Sequence, residues 1–377
     1  MLTGEYPPQP GGVSDYSRLV ARELALRGAE VHVWAPGAAG ETREDGVTVH
    51  RAPGLFTPLG LVGLTRGLER CRRPRRLLLQ YVPHAFGLKA MNLPFCAWFA
   101  ARRQDERWVF FHEVVYPWHR GDPLRRQVLA GTTRLMVRLV AGAADRTFVS
   151  IPAWAEHLPA KSRRHTEWRP VPSNLPTEVD PSVVARVREE LGTGPLLGHF
   201  GTYGAGTSGP LERVLVPLLS AHPRHRVLLL GRGSQSWLEG LARRRPELSP
   251  RLLARDSLPP TELAAHLQAC ELLIQPYPDG VSTRRGTTMA SLALGRPLVT
   301  HTGHLTEPLW RELGAVELVE GTAPETLARA AERLLSQPEK LAALGARAAE
   351  VYRERFSLER TMEVLLNPAP SAEGERP

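Results

Sequence analysis

The sequence predicts an α/β protein made of two doubly wound, Rossmann-like domains that face a cleft. Three observations support this prediction. Short apolar runs, typical of buried parallel strands, alternate with helical patterns in two separate series. The proline-rich segment 169–176 interrupts every periodicity between the two series. The length of 377 residues exceeds that of most single cores and suits two domains.

The first series starts at Met1–Thr3, which resembles the end of a strand, so that strand is expected to be very short or incomplete. A loop rich in Gly and Pro follows, and Ser14 can cap a helix that ends near Gly28. The apolar face of this helix consists of Tyr16, Leu19, Val20 and Leu24. The remaining elements are predicted as strands at 31–35, 77–81, 108–111 and 147–149, and as helices around 95–103 and 127–140.

The second series predicts a further parallel sheet with its helices. Strands are expected at 196–200, 227–230, 272–274, 298–300 and 316–319, and helices at 211–220, 260–269, 287–294 and over the long amphipathic pattern 324–356. The predicted domain limits are 1–172 and 173–352, with a C-terminal helix at 353–366 that packs back on the first domain and a disordered tail at 367–377.

Composition narrows the class of protein. A hydrophobic content of 42% fits a soluble globular chain, and neither a membrane span nor a signal peptide is visible, so a cytoplasmic location is expected. The net charge of +9 favours anionic partners, although only three of the 48 basic residues are lysines, which suggests a compositional bias toward arginine. The three cysteines are widely spaced and predict neither a disulfide framework nor a cysteine-rich metal site.

One basic cluster, defined by Arg70, Arg72, Arg73, Arg75 and Arg76, has two interpretations. It can be an ordinary solvated face, or a patch that holds the protein at the anionic inner face of the cell membrane. Nucleic-acid binding is not expected, because no zinc-finger spacing, RNP-like aromatic strand or basic heptad helix accompanies the charge.

The loop at residues 275–289 is the strongest candidate site. It follows a buried strand, carries Arg284 and Arg285, and leads into a helix whose free N–H groups face the loop. Guanidinium groups and helix N-termini both bind phosphate oxygens, so the pattern suits a diphosphate. The alternative is a surface loop with two solvated arginines.

Two glycine-rich loops also follow strands. Gly11 and Gly12 allow backbone N–H groups to approach an anion closely, or simply form a tight turn. Gly231 opens a second such loop, but the third glycine of a dinucleotide fingerprint is absent, which disfavours a nicotinamide enzyme.

In their order, several motifs resemble those of family 4 glycosyltransferases of the GT-B fold. The first half contributes the opening loop 4–16 and the segment 24–36. The second half contributes segments 198–203, 228–234, 263–276, 295–300 and 355–357. The likeness covers about residues 1–366.

The resemblance implies transfer of a sugar from a nucleotide-diphosphate sugar, without a cofactor or metal and with retained anomeric configuration. It makes the first domain the acceptor domain and the second the nucleotide-sugar domain. No Asp-x-Asp motif occurs, so Arg284 and Arg285 would neutralise the leaving diphosphate. The donor-binding residues implied are Gly11, Gly12, Thr202, Gly231, Asp279, Ser282, Gly286, Thr287 and Thr288.

The sequence departs from the family pattern at two glutamates. An ungapped count from Gly295 places Ser282 and Ala290 where the family has its carboxylates, and Asp279 can replace only the first. The basic pair expected after the first strand of the second domain is also missing. We hypothesise that Arg284 and Arg285 take over its charge.

Two histidines follow strands of the first domain. The resemblance places His112 toward the donor sugar, where it can hydrogen-bond a hydroxyl or take up a proton near pH 7. A structural role is the alternative. His84 and Glu113 are expected on the acceptor side, again with a structural alternative.

Three functions remain open at this level: a metal-independent glycosyltransferase acting on a glycan, lipid-linked or small-molecule acceptor, a catalytically silent GT-B protein that binds nucleotide or glycan, and a basic surface-binding protein. A phosphorylase with pyridoxal phosphate is disfavoured, because Lys340 is the only lysine of the second half.

Overall fold

The computed structural model describes residues 1–192 and 194–367, except for the side chain of Ala205. The chain divides into two units, Met1–Pro170 together with Thr361–Pro377, and Val171–Arg360. Most of the predicted tail, residues 368–377, lies outside the described part of the chain. No described helix has both the length and the apolar character needed to cross a bilayer.

The first unit is an eight-stranded sheet with helices. Its strands are β1 (Leu2–Thr3), β2 (Val31–Pro36), β3 (Gly40–Glu44), β4 (Val47–Ala52), β5 (Arg76–Tyr81), β6 (Glu106–Phe111), β7 (Arg146–Val149) and β8 (Thr166–Trp168). Its helices are α1 (Gly12–Leu26), α2 (Pro58–Leu68), α3 (Leu93–Ala101), α4 (Leu124–Ala143) and α5 (Ala160–Arg163). The strand order is β3-β4-β2-β1-β5-β6-β7-β8, and all neighbours are parallel except β3 and β4.

The short strand β1 lies at the centre of this sheet. Leu2 pairs with Trp34 on β2 and with Leu79 on β5. This position explains why an almost wholly apolar core, including Leu79, Val109 and Phe111, surrounds a strand of two residues. The loops that follow β1, β2, β4, β5 and β6 therefore emerge at one edge of the sheet.

One local prediction for this unit is wrong, and several of its elements, including α2, β8 and the β3–β4 hairpin, were not predicted. Ser14 is not the cap of α1, because the helix begins at Gly12 and the Ser14 hydroxyl instead donates to the carbonyl of Gln9 at 2.6 Å. The β3–β4 hairpin was missed, although Asp45 and Gly46, both with positive φ, form the Asp-Gly turn that signals such a hairpin.

The basic cluster is largely part of an ion-pair network. Arg75 pairs with Asp105 at 2.6 Å and with Glu69 at 3.1 Å, and its side chain is buried. Arg76 pairs with Glu106 and lies 3.5 Å above the Trp108 ring. Arg73 pairs with Glu69. Three of the five arginines therefore have protein partners, which weakens the membrane-patch interpretation of this cluster.

The second unit is a six-stranded, fully parallel sheet. Its strands are β9 (Leu196–Phe200), β10 (Arg226–Leu230), β11 (Leu252–Arg255), β12 (Leu272–Gln275), β13 (Leu298–His301) and β14 (Glu317–Val319), in the order β11-β10-β9-β12-β13-β14. Its helices are α6 (Pro181–Leu191), α7 (Ala205–Ala221), α8 (Ser234–Arg244), α9 (Pro260–Gln268), α10 (Gly286–Ala293), α11 (Leu309–Leu313), α12 (Pro324–Leu335) and α13 (Pro338–Val351).

The largest differences from the predicted helices of this unit are at α7 and at the pattern 324–356, and α6, α8, α11 and β11 were not predicted. Helix α7 starts at Ala205 rather than at residue 211 and contains Pro210 and Pro217, because packing against α12 outweighs the low helix propensity of this segment. The pattern at 324–356 breaks after Leu335, since Pro338 disfavours a helical conformation at the preceding Gln337.

The last helix, α14 (Leu358–Leu366), carries the chain back to the first unit from Thr361 onward. There the carbonyl of Leu365 accepts a hydrogen bond from Arg76 at 2.8 Å, and the carbonyl of Val364 accepts one from Arg146 at 3.2 Å. Arginines at the start of β5 and β7 thus hold the end of the chain.

Candidate functional site

The loop between β12 and α10 is held in a fixed path by the loop that follows β13. Gly280 has φ 84°, and a Cβ there would lie 2.2 Å from the backbone nitrogen of Gly303. The amide of Val281 donates to the carbonyl of His301, and the amide of Leu305 donates to the carbonyl of Asp279, both at 3.1 Å. Only glycine fits at position 280, and the loop is pre-organised without a ligand.

A buried carboxylate, Glu307, supports the same loop. It accepts hydrogen bonds from the amide of Thr283 at 3.0 Å, from the Thr283 hydroxyl at 2.5 Å and from Trp310 Nε1 at 2.8 Å. Burial raises the pKa of Glu307 despite these hydrogen bonds. Glu307 therefore joins the loop to α11 and fixes the backbone immediately before the two arginines.

Asp279 lies between the two predicted phosphate ligands. Its carboxylate pairs with Arg284 Nη2 at 2.6 Å and also with Arg285 Nη2. Burial alone would raise the pKa of Asp279, but the charges of Arg285 and Arg284 outweigh it and lower the pKa below its usual value. The two arginines already share one carboxylate, and the three side chains together carry a net charge of +1.

The first turn of α10 directly follows Arg284 and Arg285 in the sequence. Arg285 is its N-cap residue, and the Arg285 side chain accepts no hydrogen bond from the first amides of the helix. A Cβ on Gly286 would meet nothing within 4 Å, which indicates open space beside the first residue of the helix. The helix N-terminus therefore retains N–H groups suited to an anion.

Tyr277 organises the side chains around this helix end. Its hydroxyl lies 2.6 Å from Thr287 Oγ1 and 2.9 Å from Thr288 Oγ1, and its ring lies 4.7 Å from the Arg285 guanidinium. Thr287 and Thr288, predicted to bind the donor, thus each share a hydrogen bond with Tyr277 and keep further hydrogen-bonding capacity. Arg285 is held between the Tyr277 ring and the Asp279 carboxylate.

Among the buried polar side chains at this edge, Ser282 and His199 each have an atom without a hydrogen-bond partner in the described part of the chain. The hydroxyl of Ser282 is fully buried and has no hydrogen bond within the described residues. His199 on β9 donates through Nδ1 to the carbonyl of Ile274 at 2.9 Å, whereas its Nε2 has no partner among the described residues. Burial lowers the pKa of His199 to about 4, so its ring is neutral at pH 7.

The other glycine loop of this unit is built for close backbone contact. Gly231 has φ 104°, and a Cβ there would lie 2.2 Å from the carbonyl oxygen of Gly201. The helix that follows, α8, is already capped, because Asp256 accepts from Ser234 Oγ at 2.8 Å and from the Gln235 amide at 2.6 Å. Thr202 is exposed beside this loop. Of the two helices α8 and α10, only α8 has, within the described residues, a carboxylate that accepts a hydrogen bond from an amide of its first turn.

The first unit has its own cavity at the edge where its strands end. It has a volume of about 360 Å³, within the range of small-molecule sites, roughly 300–1,000 Å³. Its walls come from the loops after β1, β2, β4 and β5, and they include Glu5, Gln9, Thr57, His84 and Phe86.

A histidine between two carboxylates borders this cavity. His84 Nε2 lies 3.7 Å from Glu5 Oε1, and His84 Nδ1 lies 3.7 Å from Glu113 Oε2. The pKa of His84 is raised, chiefly by its polar contact with Glu5 and further by the charge of Glu113. His84 and Glu113 are therefore brought together, as the prediction of a common acceptor side requires, and Glu5 joins them.

Gly11 is the N-cap residue of α1 and Gly12 is its first residue, but the two differ in their surroundings. A Cβ on Gly11 would lie 2.6 Å from Glu5 Oε2, whereas a Cβ on Gly12 would meet nothing within 4 Å. The Glu5 carboxylate thus lies next to the N-terminal end of α1, where it interacts favourably with the helix dipole. An incoming phosphate at Gly11 would meet that carboxylate.

His112 follows β6 and is buried. Its Nε2 lies 2.8 Å from Gln80 Oε1, and its ring packs edge-on against Tyr16. Burial lowers the pKa of His112 to about 3. The imidazole is neutral at pH 7, so of the two roles predicted for it, hydrogen bonding is compatible with its surroundings and proton uptake near pH 7 is not.

The sequence argument missed three carboxylates: Glu5, Asp256 and Glu307. Glu5 and Asp256 follow the ends of β1 and β11, a position that signals a site in a parallel sheet and that could have revealed them. Glu307 offers no such signal. Among the described residues, no three His, Cys, Asp or Glu side chains are grouped so that they could hold a metal ion.

Comparisons with known proteins agree with this geometry. Residues 11–174 match the model of a family described as "Glycosyl transferase 4-like domain". Sucrose-phosphate synthase from Thermosynechococcus elongatus has the same fold, with a TM-score of 0.69 and 18% identity over 96% of this chain and 94% of that one. No curated protein sequence gives a match.

Two further solved structures have the same fold. HepE from Anabaena, solved in complex with UDP, gives a TM-score of 0.67 at 17% identity and covers 97% of this chain and 98% of its own. WaaG, described as a glycosyltransferase involved in lipopolysaccharide biosynthesis, gives 0.67 at 15% identity over 97% and 99% of the two chains. The chain therefore has the GT-B fold of these solved structures, and its residues 11–174 match a glycosyl transferase 4-like domain.

Proposed function

We propose that this protein transfers a sugar from a nucleotide-diphosphate sugar bound by the second unit to a hydroxyl group of an acceptor bound by the first. The observation that carries this proposal is the convergence of Arg284, Arg285 and the uncapped start of α10 on one pre-organised loop. HepE, of the same fold, is solved with UDP and with UDP-glucose, which supports a nucleotide-sugar as donor.

In this proposal the diphosphate displaces Asp279 from the two guanidinium groups. Each guanidinium can then donate to phosphate oxygens, while N–H groups of the α10 first turn supply further hydrogen bonds. Negative charge grows on the leaving diphosphate as the glycosidic bond breaks, so these fixed donors stabilise the transition state more than the ground state.

We propose further that the reaction needs no metal ion and retains the anomeric configuration. The arginine pair supplies the positive charge that a divalent ion would otherwise give, and the leaving phosphate accepts the acceptor's proton. Transfer in excess EDTA should proceed at the same rate as in Mg²⁺. The anomeric coupling constant of the product, measured by NMR, should match that of the donor.

The acceptor in this proposal is a glycan, a lipid-linked sugar or a small molecule. We place the membrane contact, if the acceptor is lipid-linked, at the exposed apolar residues Leu59, Trp118 and Leu124, which are 87%, 54% and 76% exposed. They lie in or near the connections at the carboxyl ends of β4 and β6, beside the exposed Arg120 and Arg125. Such a mixture suits an anionic bilayer surface.

Liposome sedimentation tests the membrane contact. Binding should increase with the content of anionic lipid and should fall in a Trp118→Ser, Leu124→Ser variant. Sedimentation that does not depend on anionic lipid would remove this part of the proposal.

A turnover assay tests the function itself. The protein is incubated with a panel of UDP-, GDP- and dTDP-sugars and a pool of glycan acceptors, and nucleotide release and glycosylated products are measured. At least one donor should give both. If no donor releases its nucleotide above the rate without enzyme, the proposal is wrong.

A catalytically silent GT-B protein is the second candidate. It is favoured by the Asp279 carboxylate, which occupies both arginines, and by Ser282 and Ala290 at positions where the family carries carboxylates. A silent protein would bind a nucleoside diphosphate in a thermal-shift screen without turnover. Donor hydrolysis that is abolished by His112→Ala would exclude it.

A further inference from the structure

The cavity of the first unit differs in charge from the protein as a whole. The chain carries a net charge of +9, yet none of the twelve residues that line the cavity is Arg or Lys. The charged groups at the cavity are the Glu5 carboxylate and the His84 imidazole, with Glu113 on the other side of His84. With His84 protonated, the three groups sum to −1, and with it neutral, to −2.

These charges disfavour an anion at this position. Two carboxylates within 4 Å of one imidazole leave no unbalanced positive charge for a phosphate. Glu5 is also largely shielded from water, with 17% of its side chain exposed, so its field is weakly screened. The nearby N-terminus of α1, which would otherwise attract a phosphate, already has Glu5 Oε2 beside Gly11.

The same residues suit a hydroxylated ring without charge. The Glu5 carboxylate can accept hydrogen bonds from hydroxyl groups of a ligand. The side-chain amide of Gln9 can both donate to and accept from such hydroxyl groups. The Thr57 hydroxyl already donates to the carbonyl of Gly54 but can still accept. Leu55, Phe56 and Phe86 form the apolar part of the wall. Sites for sugars combine such apolar surface with a few fixed polar groups.

We infer that the part of the acceptor that enters this cavity is a sugar bearing neither phosphate nor carboxylate. The inference rests on the proposed function, because it assumes that the first unit binds the acceptor. It extends that function by setting the substrate class: neutral glycans and the neutral terminal sugars of lipid-linked glycans are acceptors, and sugar phosphates and uronic acids are not.

The test is a competition between matched acceptors, using the donor whose nucleotide is released in the turnover panel. Equal concentrations of a neutral hexose, its 6-phosphate and the corresponding uronic acid are offered together, in monosaccharide and disaccharide series. Products are quantified by mass spectrometry. Neutral acceptors should be glycosylated at least about tenfold faster than their anionic counterparts, and equal or faster transfer to the 6-phosphate or the uronic acid would overturn the inference.

A charge-reversal variant makes the test specific to this cavity. Glu113→Arg, at a half-exposed side chain, should move the ratio of neutral to phosphorylated product by at least about tenfold toward the phosphate. Glu156→Arg is the control and should leave the ratio unchanged, because Glu156 is an exposed residue of the same unit that neither lines the cavity nor pairs with His84, as Glu113 does. An unchanged ratio in Glu113→Arg would also contradict the inference.

Separate measurements distinguish a failure of the proposed function from a failure of the inference about the cavity. Nucleotide release without acceptor, together with stabilisation by a nucleoside diphosphate, reports on the donor site of the second unit alone. If these are present and the anionic acceptors are preferred, only the inference about the cavity fails. If neither is present with any donor, the proposed function fails.

Discussion

The two units place charge of opposite sign at corresponding edges of their sheets. In the second unit, two arginines share one aspartate, which gives a net charge of +1 beside an uncapped helix start. In the first unit, one histidine lies between two glutamates, and the net charge is −1 even when the histidine is protonated. We propose that the edge of the second unit binds a diphosphate and the edge of the first unit a neutral sugar, although the whole chain is strongly basic.

This difference teaches that overall charge is a poor guide to the chemistry of a site. Many arginines of this chain pair with carboxylates, as Arg75 and Arg76 do, and contribute structure rather than binding. Arginine pairs that share one carboxylate occur in both units, as Arg146 and Arg169 do at Glu167 in the first. What distinguishes the second unit is that its pair, Arg284 and Arg285, lies beside the uncapped start of α10. Variants that change the charge at each edge test whether this difference in charge determines what each unit binds.

The largest effect is expected from the arginine pair. Loss of one charge-assisted hydrogen-bonding group costs about 1.5–3 kcal/mol, or roughly 10–100-fold. The double variant Arg284→Ala, Arg285→Ala should reduce the rate of transfer by at least about 100-fold, measured as nucleotide release. Arg213→Ala, at an exposed arginine of α7, is the matched control. If the double variant transfers sugar at the wild-type rate, the arginine pair does not bind the diphosphate and the proposed difference between the two units is wrong.

The next effect concerns the support of the donor loop. Glu307→Ala leaves the Thr283 amide and hydroxyl and Trp310 Nε1 without their acceptor, so the free energy of unfolding should fall by about 3 kcal/mol. Urea unfolding followed by circular dichroism measures it. Glu113→Ala, at a half-exposed residue of the first unit, should cost less than about 1 kcal/mol. Equal losses in both variants would show that the donor loop is no more rigidly supported than the acceptor edge.

Both units also contain a buried neutral histidine, which predicts acid sensitivity. The pKa of His112 is lowered to about 3 and that of His199 to about 4, so below about pH 6.5 the unfolded chain binds protons that the folded chain does not. Stability should fall as the pH drops from 6.5 toward 4, by at most about 2 kcal/mol per histidine at pH 5. Thermal unfolding of His112→Gln and His199→Gln against pH should show a shallower loss in each. An unaltered slope in both would contradict their burial as neutral rings.

The smallest effect is expected at Asp279. Asp279→Asn removes the charge that competes with a diphosphate, so the affinity for a nucleoside diphosphate without sugar should rise about five- to tenfold, or about 1 kcal/mol. Isothermal titration calorimetry measures this affinity. A fall would mean that Asp279 mainly orients the arginines rather than competes for them.

The sequence was sufficient for the architecture because parallel strands buried on both sides leave a strong apolar signal, as at β5, β6, β10 and β12. It correctly predicted a loop between a strand and a helix at 275–289, because these elements follow one another without interruption there. Ser14 and the start of α7 were wrong because local propensity does not reveal tertiary packing.

The pairing of side chains could not be predicted from the sequence. Arg284 and Arg285 were expected to be available to a phosphate, and nothing in the spacing indicated that Asp279 would bridge them. Glu5 was overlooked although it lies only two residues beyond β1, because its partner His84 comes from a loop nearly eighty positions later in the chain. Such contacts depend on the order of strands in the sheet.

A crystal structure with a bound nucleoside diphosphate tests the central claim most directly. The nucleotide is the one among UDP, GDP and dTDP that stabilises the protein most against thermal unfolding. The account predicts a phosphate within hydrogen-bonding distance of the Arg284 or Arg285 guanidinium and of an amide in the first turn of α10, with Asp279 displaced. A nucleotide whose phosphates contact neither arginine, or whose phosphates lie instead at Glu5 and His84 in the first unit, would contradict it.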